Sequence, residues 1–168
     1  QKIFSAKIHA IPHFCILLVW LYLHQLMIYF IDIPKPTLNQ SDIISWLNSL
    51  ATEFNVSIDQ LQYNFVDENS LLKMNQEFLK HDTHTDIITF SYRDDATIEA
   101  EIYISIDRML ENAKLNHETV ENELLRLLSH GFLHCIGHND HTEEEKSAMR
   151  TQENRCIEMF HVKQMKNV

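Results

Sequence analysis

Residues 130–141 read HGFLHCIGHNDH and hold four histidines, an aspartate and both glycines of a 168-residue chain. On a helix, positions i and i+4 share one face about 6 Å apart along the axis. His130 and His134 therefore point the same way, as two ligands of one metal must. A third ligand has to come from beyond the helix. Gly137 can adopt the left-handed conformation that ends a helix and turns the chain back, which would carry Asp140 or His141 to the metal. Three protein ligands with a fourth position left to water describe an open, catalytic zinc site rather than a closed structural one. Gly131 costs roughly 1 kcal/mol relative to alanine in a helix interior, so a substrate or a neighbouring strand is expected close to the backbone there.

A histidine pair at this spacing is a weak signal alone in a chain with 11 histidines. The following Gly137 and the Asp140–His141 turn separate a metal site from a merely hydrogen-bonded histidine group. The HExxH pattern of zinc peptidases is not met, because Gly131 stands where the general-base glutamate would be. What remains is metal-assisted hydrolysis of a bond whose attack does not need that glutamate. His138 is expected to point outward, and Cys135 reads as a small buried hydrophobe rather than a reactive thiol.

The elements that position these residues can be read in outline. MIYFIDI, from Met27, alternates like a strand. Ser41 is expected to cap a helix through SDIISWLNSLATEF. Residues 61–66 (LQYNFV) read as a strand, and Asp67 as the cap of a helix through ENSLLKMNQEFLK with Leu71, Leu72, Met74 and Phe78 as its apolar stripe. Strands are expected over residues 86–92 and 100–106, with a helix through DRMLENAKL after the second. The longest helix is expected from near Glu118 to Gly137, apolar on most sides and therefore central and buried. Thr142 and Glu145 form a capping-box pattern that opens the last helix. Strands and helices alternate only in part, which makes the fold α+β with a small sheet.

Composition narrows the function. The length suits one domain, and 45% hydrophobic residues are enough for a core. A formal charge of −10 excludes a protein that coats nucleic acid through bulk attraction to phosphate, though not an enzyme with a local cationic or metal-bearing cleft. Cys15, Cys135 and Cys156 are odd in number and show no CxxC spacing, which points to a reducing, cytoplasmic setting. The apolar run at residues 14–23 is shorter than the about 20 residues of a spanning helix, so no membrane partner is expected. Residues 1–26 are read as a hydrophobic extension, non-native or upstream of the true start, and residues 27–168 as the functional domain.

Taken with its surroundings, HGFLHCIGHNDH resembles the signature HGxLHxxGxDH of the YbeY family of bacterial endoribonucleases, the ribosomal RNA maturation factors. NQEFLKHDTHTDIITF (residues 75–90) is similar to the family segment ending in TDVLSF, AEIYIS to GDIxIS, and the helix ELLRLLSH also fits. The likeness runs from about Met27 to the C-terminus. It implies a small mixed β-sheet flanked by helices, with a metal site at the C-terminal end of a central helix. It also implies a single-strand-specific, zinc-dependent endoribonuclease with one zinc per chain. Such an enzyme matures the 3′ end of 16S ribosomal RNA and serves ribosome quality control, with single-stranded RNA and ribosomal particles as partners and no DNA.

Three positions depart from the family pattern. Strict spacing puts Asp140 where the family has its third histidine, whereas a one-residue bulge would bring His141 instead. Leu79 occupies the place of a family arginine thought to serve the active site, and Lys80, His81, His84 and Arg93 are the candidate substitutes for binding substrate. Ala100 and Glu101 replace Gly–Asp. Asp86 is a candidate for orienting water. The alternative readings are a zinc-containing ribosome-assembly factor with little activity and a metal-dependent peptidase.

Overall fold

The structure is a computed structural model that describes residues 27–34, 38–79, 84–93 and 95–166, without the side chains of residues 79 and 166. The extension at residues 1–26, Lys80, His81 and the side chain of Leu79 lie outside the described residues. Four strands and five helices follow one another as β1 (Ile28–Ile31), α1 (Gln40–Glu53), β2 (Ser57–Val66), α2 (Glu68–Met74), β3 (Ile87–Ser91), β4 (Thr97–Ser105), α3 (Ile106–Leu115), α4 (Val120–Cys135) and α5 (Glu143–Lys166). The sheet order is β1-β2-β4-β3; β1, β2 and β4 run parallel, and β3 pairs antiparallel with β4. The fold is thus α+β with a mixed sheet, as the family likeness implied.

Alternation on β4 buries Ile98, Ala100, Ile102 and Ile104 in the core that also takes Trp46, Leu47 and Leu50 of α1 and Leu124, Leu125, Leu128 and Phe132 of α4. Two buried polar tips are satisfied across that core, as burial requires. The Tyr63 hydroxyl donates to the carbonyl of Leu128 at 2.9 Å, and Trp46 Nε1 donates to the carbonyl of Cys156 at 2.8 Å. These bonds tie α4 to the sheet and α5 to α1, so the two helices that carry the polar site are fixed from behind.

Local chemistry sets the element ends. Asp67 caps α2, accepting from Ser70 N, and Thr119 caps α4, accepting from Asn122 N. Thr142 and Glu145 cap α5 reciprocally: Thr142 N donates to Glu145 Oε2 at 2.9 Å and Glu145 N to Thr142 Oγ1 at 3.2 Å.

Three expectations are corrected. The cap of α1 is Asn39 rather than Ser41, because Asn39 Oδ1 accepts from both the amide and the hydroxyl of Ser41. The longest helix is α5, with 24 residues against 16 for α4. The stripe Leu71, Leu72, Met74, Phe78 is broken, since residues Asn75–Leu79 wind into a π-helical turn. That wider turn shifts Phe78 off the α2 stripe, and it is 59% exposed, edge-on to Phe90.

Candidate metal centre

Because α4 is buried along most of its length, its register against the sheet leaves no choice about where its last turn points. Gly131 shows how tight that register is: a Cβ built on it would lie 2.7 Å from Ile102 Cδ1 and 3.3 Å from Ile87 Cδ1. The close neighbour expected at this glycine is therefore a pair of strands, β4 and β3. With Gly131 against the sheet, His130 and His134 face the cleft lined by Asp86 and by Ile87, Ile88 and Thr89 of β3.

Beyond His134 the chain turns through Gly137 at φ 90°. Gly137 N donates to His134 O at 3.1 Å and His138 N to Leu133 O at 3.1 Å, the paired bonds of a Schellman ending. The reversal delivers Asp140 back to the two histidines. His130 Nε2 and His134 Nε2 stand 2.9 Å apart, and Asp140 Oδ2 lies 3.7 Å from the first and 3.8 Å from the second. Among the described residues, these three form the group whose ligand atoms all fall within 4.8 Å of one another and could hold a metal ion.

The outer ring nitrogens decide what the inner ones offer. His134 Nδ1 lies 2.8 Å from the carbonyl of His138. A carbonyl can only accept, so Nδ1 carries the proton. His130 Nδ1 lies 2.8 Å from Glu153 Oε1. Burial alone would push the Glu153 carboxyl up, but the hydrogen bond and charge of His130 together with Arg150 and Arg126 hold it below its ordinary range. Glu153 is therefore an ionised acceptor and fixes the proton on His130 Nδ1 in the same way. Burial, followed by the nearby His130, pulls the His134 pKa below its usual value, which keeps that ring neutral.

Two imidazole nitrogens and a carboxylate oxygen then converge, and with His130 neutral no proton stands among them. Such an all-acceptor triangle calls for a cation, and its edges bracket the roughly 3.3 Å separation of ligands around a tetrahedral zinc. The donor set of two imidazoles and one carboxylate fits that ion chemically, and each imidazole has the outer acceptor that orients metal-bound histidines.

The other sequence candidates divide. His141 stands outside the ligand group; its amide donates to Glu145 Oε2 at 2.9 Å and its side chain borders the cleft. His138 packs edge-on to Phe54 and contributes its carbonyl rather than its ring. Asp86 lines the cleft beside His130 and Asp140, its Oδ2 accepting from Asn112 Nδ2 at 2.8 Å. His84 pairs with Glu68 at 2.8 Å. Arg93 pairs with Asp95 at 2.8 Å and borders a groove that also reaches Phe54, His134 and Gly137. Burial pushes the Cys135 thiol up to about 12, the state of an inert packing residue.

Sequence reasoning missed Glu153, Arg126 and Arg150, which line the far wall of the cleft with His130 and Asp140. One signal for Glu153 was present. It shares a helical stripe with Met149, Cys156, Ile157 and Phe160, all buried, and a carboxylate on such a stripe needs a partner in the interior.

Comparison with known proteins gives a consistent result. Residues 31–161 match the family model described as Endoribonuclease YbeY. A protein of that name from Cytophaga hutchinsonii is 45% identical over 121 residues, covering 71% of this chain and 85% of its own length. Another from Flavobacterium psychrophilum is 40% identical over 125 residues, covering 74% and 89%. The solution structure of TM1509 from Thermotoga maritima superposes with a TM-score of 0.58 at 23% identity, covering 84% of this chain and 93% of the other; that likeness speaks for the fold.

Proposed function

The chain belongs to the YbeY endoribonuclease family, and from that premise we propose that it is a zinc-dependent endoribonuclease cutting single-stranded RNA at the His130, His134 and Asp140 group. The observation that carries the reading is the triangle of two imidazole nitrogens and a carboxylate oxygen within 4.8 Å of one another, set in an open cleft of a nuclease-family fold. By the same family likeness, its substrate is the 3′ end of small-subunit ribosomal RNA, its wider role ribosome quality control, and its site of action the cytoplasm. No helix among the described residues is long and apolar enough to cross a membrane.

A divalent ion held there supplies Lewis acidity towards a phosphate oxygen and a more acidic water. The protein's own part is positional. Glu153 and the His138 carbonyl hold both imidazoles in the tautomer that faces the cleft. Asp86 keeps an acceptor oxygen beyond its bond to Asn112, and so can orient the attacking water or a ribose 2′-hydroxyl. His141 outside the ligand group favours an open three-ligand site over the closed four-ligand site of a purely structural zinc.

The test is cleavage of a fluorescent single-stranded oligoribonucleotide at saturating concentration by the wild type and by His134→Ala, each checked for fold by circular dichroism. Cutting by the wild type alone is expected. Full activity in His134→Ala sinks the proposed site. Zinc binding without cutting by the wild type shifts the reading to an assembly factor.

A further inference from the structure

We propose that Arg150, backed by Arg126, is the side chain that receives a phosphodiester of the bound RNA strand beside the metal group. This rests on the endoribonuclease reading above and adds the direction from which the strand is held. The net charge of −10 means that the bulk of the molecule repels a polyanion, so the strand must be held by local cations. Among the described residues, Arg126 and Arg150 are the lysine or arginine side chains lining the cavity that also holds His130 and Asp140. Elsewhere His84 is occupied by Glu68 and Lys146 by Glu143 at 2.7 Å, while Arg93 is held by Asp95.

The two arginines are not equivalent. Arg126 has a side chain only 15% exposed, with Nη1 3.1 Å from Glu153 Oε2 and 3.0 Å from Asn154 Oδ1 and Nε 3.8 Å from Glu123 Oε2. Its Nη1 and Nε are engaged by protein groups, and little of the side chain is exposed. Arg150 is 55% exposed and, among the described residues, makes its ion pair through Nη1, 3.2 Å from the same Glu153 oxygen. Glu153 thus takes two guanidiniums and the His130 N–H on one carboxylate, so it cannot fully neutralise the more exposed Arg150. That anchor holds Arg150 at the cavity lining and leaves N–H donors of the guanidinium fork, whose geometry suits phosphate, for a ligand.

The experiment is fluorescence anisotropy of a labelled oligouridine on zinc-loaded protein, recorded before cleavage sets in, across about 50–200 mM salt. Wild type is compared with Arg150→Gln, Arg150→Lys and Arg155→Gln, the last removing the same charge from the same helix away from the cleft. Loss of one phosphate contact on a single strand lowers the slope of log affinity against log salt by about 0.7. That loss is expected for Arg150→Gln alone, with zinc content and thermal midpoint unchanged; Arg150→Lys keeps the slope. An unchanged slope in Arg150→Gln overturns the assignment, even if cleavage falls, because the arginine would then act only through Glu153. Wild type that binds no oligouridine at any salt overturns the endoribonuclease reading together with this one.

Discussion

Glu153 is 5% exposed and still charged, and the cost of burying it is offset only because three donors meet it. Replacing it with glutamine removes the acceptor that fixes His130. Zinc affinity should drop by about 10–100-fold, the usual effect of losing an outer partner of a ligating histidine. Competition with a chromophoric chelator measures this, and wild-type affinity in Glu153→Gln would show that His130 needs no such partner. The pH dependence of the zinc-free protein has two parts of known sign. His134 has its pKa lowered on folding, so stability falls as pH drops below the ordinary histidine value of 6.5 and the unfolded chain takes up the proton first. Glu153 is also lowered, so its contribution is present above the ordinary value of 4.5 and is lost as pH falls through the folded value. Urea titrations across pH should show the acid loss in the wild type and a smaller one in Glu153→Gln. At this scale the sequence was informative where the chemistry is contiguous: His130, His134 and Asp140 sit within one turn and a reversal. Arg150 and Glu153 lie on the next helix, 10 and 13 residues beyond Asp140, and only tertiary packing of α5 on α4 brings them in.

Gly131 couples an element to the site, because it decides how closely α4 lies on β3 and β4. In Gly131→Ala the helix gains about 1 kcal/mol in propensity. The new methyl, however, meets Ile102 at 2.7 Å and 3.0 Å, and the fully buried Ile102 must shift within the core to admit it. Overpacking of this kind costs about 1–3 kcal/mol, so the variant should be less stable by about 1 kcal/mol and should bind zinc more weakly as His130 and His134 are lifted from Asp140. Ile102→Val deletes Cδ1, the atom in the shortest contact. The double variant Gly131→Ala/Ile102→Val should then be more stable than the sum of its parts by at least about 0.5 kcal/mol, the lower end of coupling between touching residues. Strict additivity in denaturant midpoints would place the close contact elsewhere. The existence of most elements was legible from hydrophobic period and capping residues, because those signals are local. The π-helical turn after Met74 was not, since nothing in NQEFL distinguishes it from ordinary helix. Nor was the parallel pairing of β1, β2 and β4, because alternation says which face is buried and not which strand is the neighbour.

Over the whole molecule the question is how an acidic protein admits an acidic strand. The cavity beside the ligand group is lined by four carboxylates, Asp86, Glu123, Asp140 and Glu153, against the two guanidiniums of Arg126 and Arg150. Burial raises the pKa of Glu123, with Arg126 opposing that rise and Asp86 adding to it. Without an ion the cavity is net acidic, and Arg150 is its more exposed cation. A divalent cation among His130, His134 and Asp140 cancels two of those charges. On the proposed reading the ion would then serve in holding RNA as well as in cutting it. A divalent charge about 4 Å from one phosphate contributes about 2 kcal/mol even at the dielectric of bulk water, or about thirtyfold in affinity. Chelator-stripped protein should therefore bind oligouridine about thirtyfold more weakly than the same sample after zinc is restored, with the difference shrinking as salt is raised. Equal affinity in the two states would mean that the arginine wall alone recruits the strand and that the ion acts only on bond cleavage.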